Sequence, residues 1–174
     1  MKITKNIEHY DTFSLLENRY EIISNKLAEA EKIALDLLGS EMKNIEYPVL
    51  KSILDSVYPD INITIKLEEA YLYPELKNIL PEQTSIDALR EEHKIISEFI
   101  YSIKKNLENK IVFFCNLYNV QLEIIGLYDI MQRNIHKKEN ILFYEAQGLS
   151  GETLDKIYAD MSKKLNDIAL VKAA

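Results

Sequence analysis

The residues placed to do chemistry are the few polar side chains that interrupt apolar helical stripes. The stretch Gln121–Ala146, QLEIIGLYDIMQRNIHKKENILFYEA, shows this best. Ile124, Leu127, Met131, Ile135 and Leu142 recur at three- and four-residue steps and mark one inward face of a long amphipathic helix. Asn134 and Lys138 fall on the same face, one turn apart. A lysine in a core is expensive unless paired, so an answering group must lie opposite Lys138. Three other stripes carry polar residues: His9 on the first, Thr64 and Glu68 (four apart) on the second, His93 on the third. The chemistry this implies is charge compensation inside a helical core.

Helical periodicity supplies the elements that would position these groups. From Ile7 to Leu38, the residues Phe13, Leu16, Tyr20, Ile23, Leu27, Ala30, Ala34 and Leu37 trace one inward line that includes His9, with Gly39-Ser40 as a stop. A second helix begins at Tyr47, with Pro48 in its first turn. Tyr58-Pro59-Asp60 is expected to break it before it resumes through INITIKLEEAYLYPEL, and Leu80-Pro81 ends it. Thr84 or Ser85 can cap a third helix with Leu89, His93, Ile96, Ile100, Ile103 and Leu107 inward. The next turn falls at Asn109-Lys110 or at Cys115–Asn119. Ser150 can cap a short last helix from Glu152 to about Asn166.

These elements predict an all-α, antiparallel up-down four-helix bundle with a broken second helix and a short C-terminal helix. The expected organisation is one domain over residues 1–174, its core about 7–147 and its last helix about 150–166. In such a bundle, residues at one level are mirrored about each turn. The midpoint of His9 and the Thr64/Glu68 pair falls at Leu37–Leu38, beside Gly39. The midpoint of that pair and His93 falls at Ile79–Leu80, beside Pro81. The midpoint of His93 and the Asn134/Lys138 pair falls at Phe114–Cys115. The mirrored levels predict one polar layer made of His9, Thr64, Glu68, His93, Asn134 and Lys138.

Composition narrows the function classes. A chain that is 47% hydrophobic and 28% charged, with four Gly and four Pro, fits a globular helical protein. Net charge is -7 and no basic face is evident, so nucleic acid and anionic membrane are poor partners. The start, MKITKNIEHYDTF, has no apolar run, and no stretch is long and apolar enough to span a bilayer, so neither signal peptide nor membrane span is expected. The one cysteine, Cys115, forbids an internal disulfide, fits a reducing cytoplasm, and in the run IVFFC reads as a core thiol. No phosphate loop, Ser-His-Asp order or CxxC points to an enzyme.

Two segments resemble a known family. Glu68-Glu69-Ala70-Tyr71-Leu72-Tyr73-Pro74 is similar to the E-E-x-x-L-F-P segment of hemerythrin-like, HHE cation-binding domains. Asn134-Ile135-His136-Lys137-Lys138-Glu139-Asn140-Ile141-Leu142-Phe143 is similar to their H-I-x-K-E-E-N-I-L-F segment, and Glu92-His93 and Glu8-His9 to their E-H pairs. The resemblance covers most of residues 7–147. It implies a four-helix bundle around a non-haem di-iron centre, with roles in oxygen or nitric oxide handling, iron homeostasis or repair of iron centres. Carried across, the metal positions here are His9, Glu68 and His93. Thr64 and Asn134 stand where the family has His, and Lys138 stands where it has a carboxylate. Three ligands hold two irons poorly, and Lys138 sets a fixed cation where the metals would sit. The expectation is therefore that Lys138 pairs with Glu68, with Thr64 and Asn134 hydrogen-bonded within the layer. His136 and Glu139 lie on another face and read as surface residues; a one-residue helix bulge would turn them inward, and nothing in the sequence demands one.

Three functions follow from this reading. The first is a hemerythrin-like module with a reduced or lost iron site that binds an unknown protein partner or small ligand, possible homo-oligomer included. The second is an atypical iron protein holding non-haem iron through His9, Glu68 and His93. The third is an unrelated bundle whose polar layer sets helix register. The first, without a bound cofactor, is the expected one.

Overall fold

The computed structural model describes residues 11–37, 46–80 and 84–173. Among them the backbone is helical and contains no strand. The helices are α1 (Asp11–Leu37), α2 (Glu46–Leu67), α3 (Thr84–Leu107), the short α4 (Lys110–Cys115), α5 (Leu117–Lys137) and α6 (Gly151–Ala173). Two of them do not stop where their α-helical stretch ends. α2 passes through a π-helical turn, Glu68–Leu72, into Tyr73–Leu76. α5 passes through Lys138–Leu142 into Phe143–Ala146.

The stripes become the core. Every apolar position named on α1 from Phe13 to Ala34 is buried, as are Leu89, Ile96, Ile100, Ile103 and Leu107 on α3 and Ile124, Leu127, Met131 and Ile135 on α5. These side chains belong to one hydrophobic cluster. α1 packs on α2 and α5, and α3 packs on α5 and α2, which closes the four long helices into an antiparallel up-down ring. α6 lies outside it against α1 and the π turn of α2. There Leu154, Ile157 and Met161 are buried, and Thr12 Oγ1 donates to the Leu154 carbonyl at 2.9 Å.

The irregularity of the second helix does not fall at Tyr58-Pro59-Asp60. α2 continues through Pro59. Pro59 and Asp55 are exposed, so the carbonyl that loses its donor to the proline ring faces water. Nearby carbonyls receive donors from α1: Arg19 Nη2 to Asp60 O at 3.1 Å and Lys26 Nζ to Ser56 O at 3.4 Å. The irregularity comes at the π turn instead, where Tyr73 N–H donates to the Glu68 carbonyl five residues back. Pro74 accounts for it, because its ring would collide with the Ala70 carbonyl of an unbroken α-turn. The matching turn in α5 has Phe143 N–H donating to the Lys138 carbonyl. Within it, the Asn140 side chain donates to the His136 carbonyl at 2.9 Å and competes with the backbone ladder.

Three further expectations need correction or sharpening. Both candidate turns between the third and fourth long helices are real breaks. Asn109 caps α4 by accepting from Ile111 N at 2.8 Å and Val112 N at 3.4 Å, and Asn116 separates α4 from α5. Cys115 is exposed and not a core thiol. The IVFFC run is a single short helix that turns only Phe113 fully inward, against Tyr47 at a ring distance of 4.8 Å. α6 runs to Ala173, well past Asn166. Its last turns carry Leu170 and Val171 in solvent, so burial periodicity fades there while helix-forming residues continue. Gly39-Ser40 and Pro81 lie outside the described residues, although α3 begins at Thr84 just after Pro81.

Since Pro59 is exposed and removes a backbone donor, Pro59→Ala should stabilise the fold. The expected gain is about 1–3 kcal/mol, read by chemical denaturation. An unchanged or lowered midpoint would mean that the helix is already adapted to the proline.

Candidate polar centre

Glu68 begins the π turn of α2 and Lys138 begins that of α5. Each points into the bundle, where α3 contributes His93. Their exposures are 0%, 2% and 3%. Lys138 Nζ lies 2.6 Å from Glu68 Oε2 and 3.2 Å from His93 Nε2, and 5.4 Å from the centre of the Tyr20 ring. One ammonium with three hydrogens thus has a carboxylate, an imidazole nitrogen and a ring face around it.

The surrounding groups fix each partner. Tyr20 OH donates to Glu68 Oε1 at 2.6 Å, and Tyr73 OH donates to Oε2 at 3.3 Å. His93 Nδ1 lies 2.8 Å from Glu69 Oε1, which places its proton on Nδ1 and leaves Nε2 as an acceptor. Glu68 Oε2 and His93 Nε2 approach to 3.2 Å. Two acceptors tolerate that separation because both receive a proton from Lys138. The Tyr73 ring stacks on the imidazole with centroids 5.8 Å apart and an 11° tilt.

Electrostatics follow the geometry. Burial alone would raise the Glu68 carboxyl, but the adjacent Lys138 ammonium, with His93 beside it, outweighs that and holds it at about 2. Burial and the neighbouring Glu68 carboxylate push Tyr20 and Tyr73 up, so both phenols stay protonated donors.

Two smaller polar groups flank this centre one turn earlier on α2 and α5. Thr64 Oγ1 accepts from Arg19 Nε at 2.8 Å and donates to the Asp60 carbonyl at 2.8 Å. Asn134 Nδ2 donates to Glu92 Oε2 at 2.8 Å, and Lys137 binds the other Glu92 oxygen. Asn134 Oδ1 is buried with no hydrogen-bond partner among the described residues.

The sequence profile of the hemerythrin HHE cation-binding domain matches residues 8–146, most of the chain. The chain belongs to the hemerythrin HHE family. No curated protein and no solved structure matches it.

Hemerythrin domains imply iron, and the donors present can be tested against that. Glu68 Oε2 and His93 Nε2 direct their lone pairs at Lys138 Nζ, while Thr64 and Asn134 offer no imidazole and bond elsewhere. Among the described residues no group of three or more His, Cys, Asp or Glu side chains is arranged to hold a metal ion. These residues do not fit a di-iron centre, because a bound cation would have to displace the ammonium from both donors. His9 lies outside the described residues.

The structure brings Glu68, His93 and Lys138 into direct contact. It places Thr64 and Asn134 in the same core, but neither bonds to that trio as expected. His136 and Glu139 are exposed. Sequence reasoning missed Tyr20, Tyr73, Glu69, Glu92 and Arg19. Tyr73 left a signal: it stands where the hemerythrin segment has Phe, and the added hydroxyl reaches Glu68. Tyr20 left none, since a tyrosine in an apolar stripe reads as core.

Two predictions follow from the pair. Glu68→Ala leaves an uncompensated buried ammonium and should cost roughly 3–5 kcal/mol, whereas replacing Glu68 and Lys138 together with Met should cost far less. Denaturation curves in which the double-variant cost equals the sum of the single costs would refute the pairing. The second concerns acid. The folded-state Glu68 pKa lies below its unfolded value, so its stabilisation is present above about pH 4.5 and is lost as pH falls toward about 2. Wild type should lose about 3 kcal/mol more than Glu68→Gln over that range, and parallel acid limbs would contradict the shift.

Proposed function

We propose that this hemerythrin-like bundle has exchanged its di-iron centre for an ammonium centred on Lys138 and works as a binding or regulatory module. The observation that carries this is the position of Lys138 Nζ, within hydrogen-bond reach of both Glu68 Oε2 and His93 Nε2. These are the two described side chains that match the family's metal positions. Lys138 supplies the positive charge that the carboxylate needs, and it does so without redox chemistry or an open coordination position. Oxygen carriage and nitric oxide reduction are therefore not the activities this core supports. The module reading keeps the family's scaffold and assigns function to its surfaces.

Iron titration tests the proposal. Protein produced with added ferrous iron should contain no stoichiometric di-iron centre and show no oxo-bridge absorption in air; two irons per chain would overturn the reading. One iron per chain that is lost in His93→Ala would favour the atypical iron protein held by His9, Glu68 and His93. A restored site gives a second arm. Thr64→His, Asn134→His and Lys138→Glu together recreate the family's ligands on α2 and α5. Without iron this variant should melt below wild type, because Glu68 then faces a second carboxylate. With ferrous iron it should recover by mass action, while wild type responds little. An intact triple variant that binds no iron would mean either that the layer is not an old metal site or that the surrounding support for a metal is also absent.

A further inference from the structure

The outer face of the π turn in α2 forms a groove with α6. Ile63, Leu67, Ala70 and Tyr71 from α2 and Ile168 from α6 line a cavity of about 420 Å³. A smaller space of about 110 Å³ continues it past Ala70 and Tyr71 toward Pro74 and Ile157, where Glu75, Lys156 and Asp160 also border it. The larger volume is that of a small-molecule site. Ala70, in the π turn, is the smallest side chain that lines it.

The charged residues that border the larger cavity are both lysines. The chain carries a net charge of -7, yet Lys66 from α2 and Lys164 from α6 both border this cavity. Both are exposed, and neither makes an ion pair or hydrogen bond among the described residues. Two unneutralised ammonium groups from two helices, set above an apolar floor, complement one anionic head on an apolar tail. From Lys66 to Pro74, along both spaces, the wall runs for about 12 Å, at 1.5 Å per helical residue. That span suits a medium-length acyl chain.

We infer that this groove binds an amphipathic monocarboxylate such as a medium-chain fatty acid. The carboxylate sits between Lys66 and Lys164, and the acyl chain lies along Leu67, Ala70 and Tyr71. The site is separate from the buried centre, since Ala70 and Tyr71 occupy the opposite side of the same turn that presents Glu68. It stands whether or not the core binds iron.

Calorimetric titration of the full chain with decanoate, below its micelle concentration, tests this. Saturable one-to-one binding is expected, with decanol and decyltrimethylammonium binding at least tenfold more weakly. The Lys66→Gln/Lys164→Gln variant should weaken decanoate at least tenfold and leave decanol unchanged. Ala70→Phe, a change at an exposed position, should fill the cavity and abolish both, with circular dichroism showing the same helix content. Absence of saturable binding, equal binding of the cationic amphiphile, or decanoate affinity unchanged in these variants would overturn the assignment.

Discussion

The core is organised around one ammonium. Lys138 enters the bundle where hydrocarbon should be, and every polar neighbour can be understood as an answer to it. Glu68 neutralises it, His93 accepts from it, and the Tyr20 ring lies beside it. The next tier answers those answers. Tyr20 and Tyr73 saturate the carboxylate, and Glu69 fixes the imidazole so that its acceptor nitrogen faces inward. Such a set has little net attraction to offer once desolvation is counted, but it tolerates no missing member.

The two π turns make this arrangement possible. In an α-helix, residues three and four apart are neighbours; one extra residue per turn brings position i+5 beneath position i. Tyr73 thereby comes beneath Glu68 and reaches it with its hydroxyl, and Phe143 follows Lys138. Phe143 stacks instead on Tyr20, with centroids 6.1 Å apart, and Tyr20 turns its own hydroxyl to Glu68. The carboxylate thus receives one phenol through the π turn of its own helix and a second from α1.

The long helices, their inward faces and the trio of Glu68, His93 and Lys138 were legible because each rests on a repeat of three to four residues. What was not legible depended on single side chains without a periodic signature. A helix passes Pro59 because that proline faces water, and the spacing of apolar residues does not record the state of one carbonyl. The π turns insert a residue without a repeat to betray it. Thr64 and Asn134 were placed in the core correctly by their stripes, but their partners, Arg19 and Glu92, sit at the stripe edges where long side chains reach inward from polar positions. Cys115 sits in an apolar run, but a helix turns only part of such a run inward, and here that part is Phe113.

The pair also bears on why the bundle has one register. Apolar stripes alone discriminate poorly between registers, since Leu and Ile recur along the inward faces of α1, α3 and α5. Sliding α5 by one turn moves Lys138 about 5.4 Å along the axis and buries its charge against hydrocarbon. The same slip strips Glu68 of its cation and leaves Tyr20 and Tyr73 donating to an unneutralised carboxylate. Each uncompensated charge costs several kcal/mol, which is comparable to the whole stability of a domain this size. A buried ammonium with one carboxylate partner therefore supplies a property that a purely apolar core would lack: a single alignment of the four helices that satisfies it.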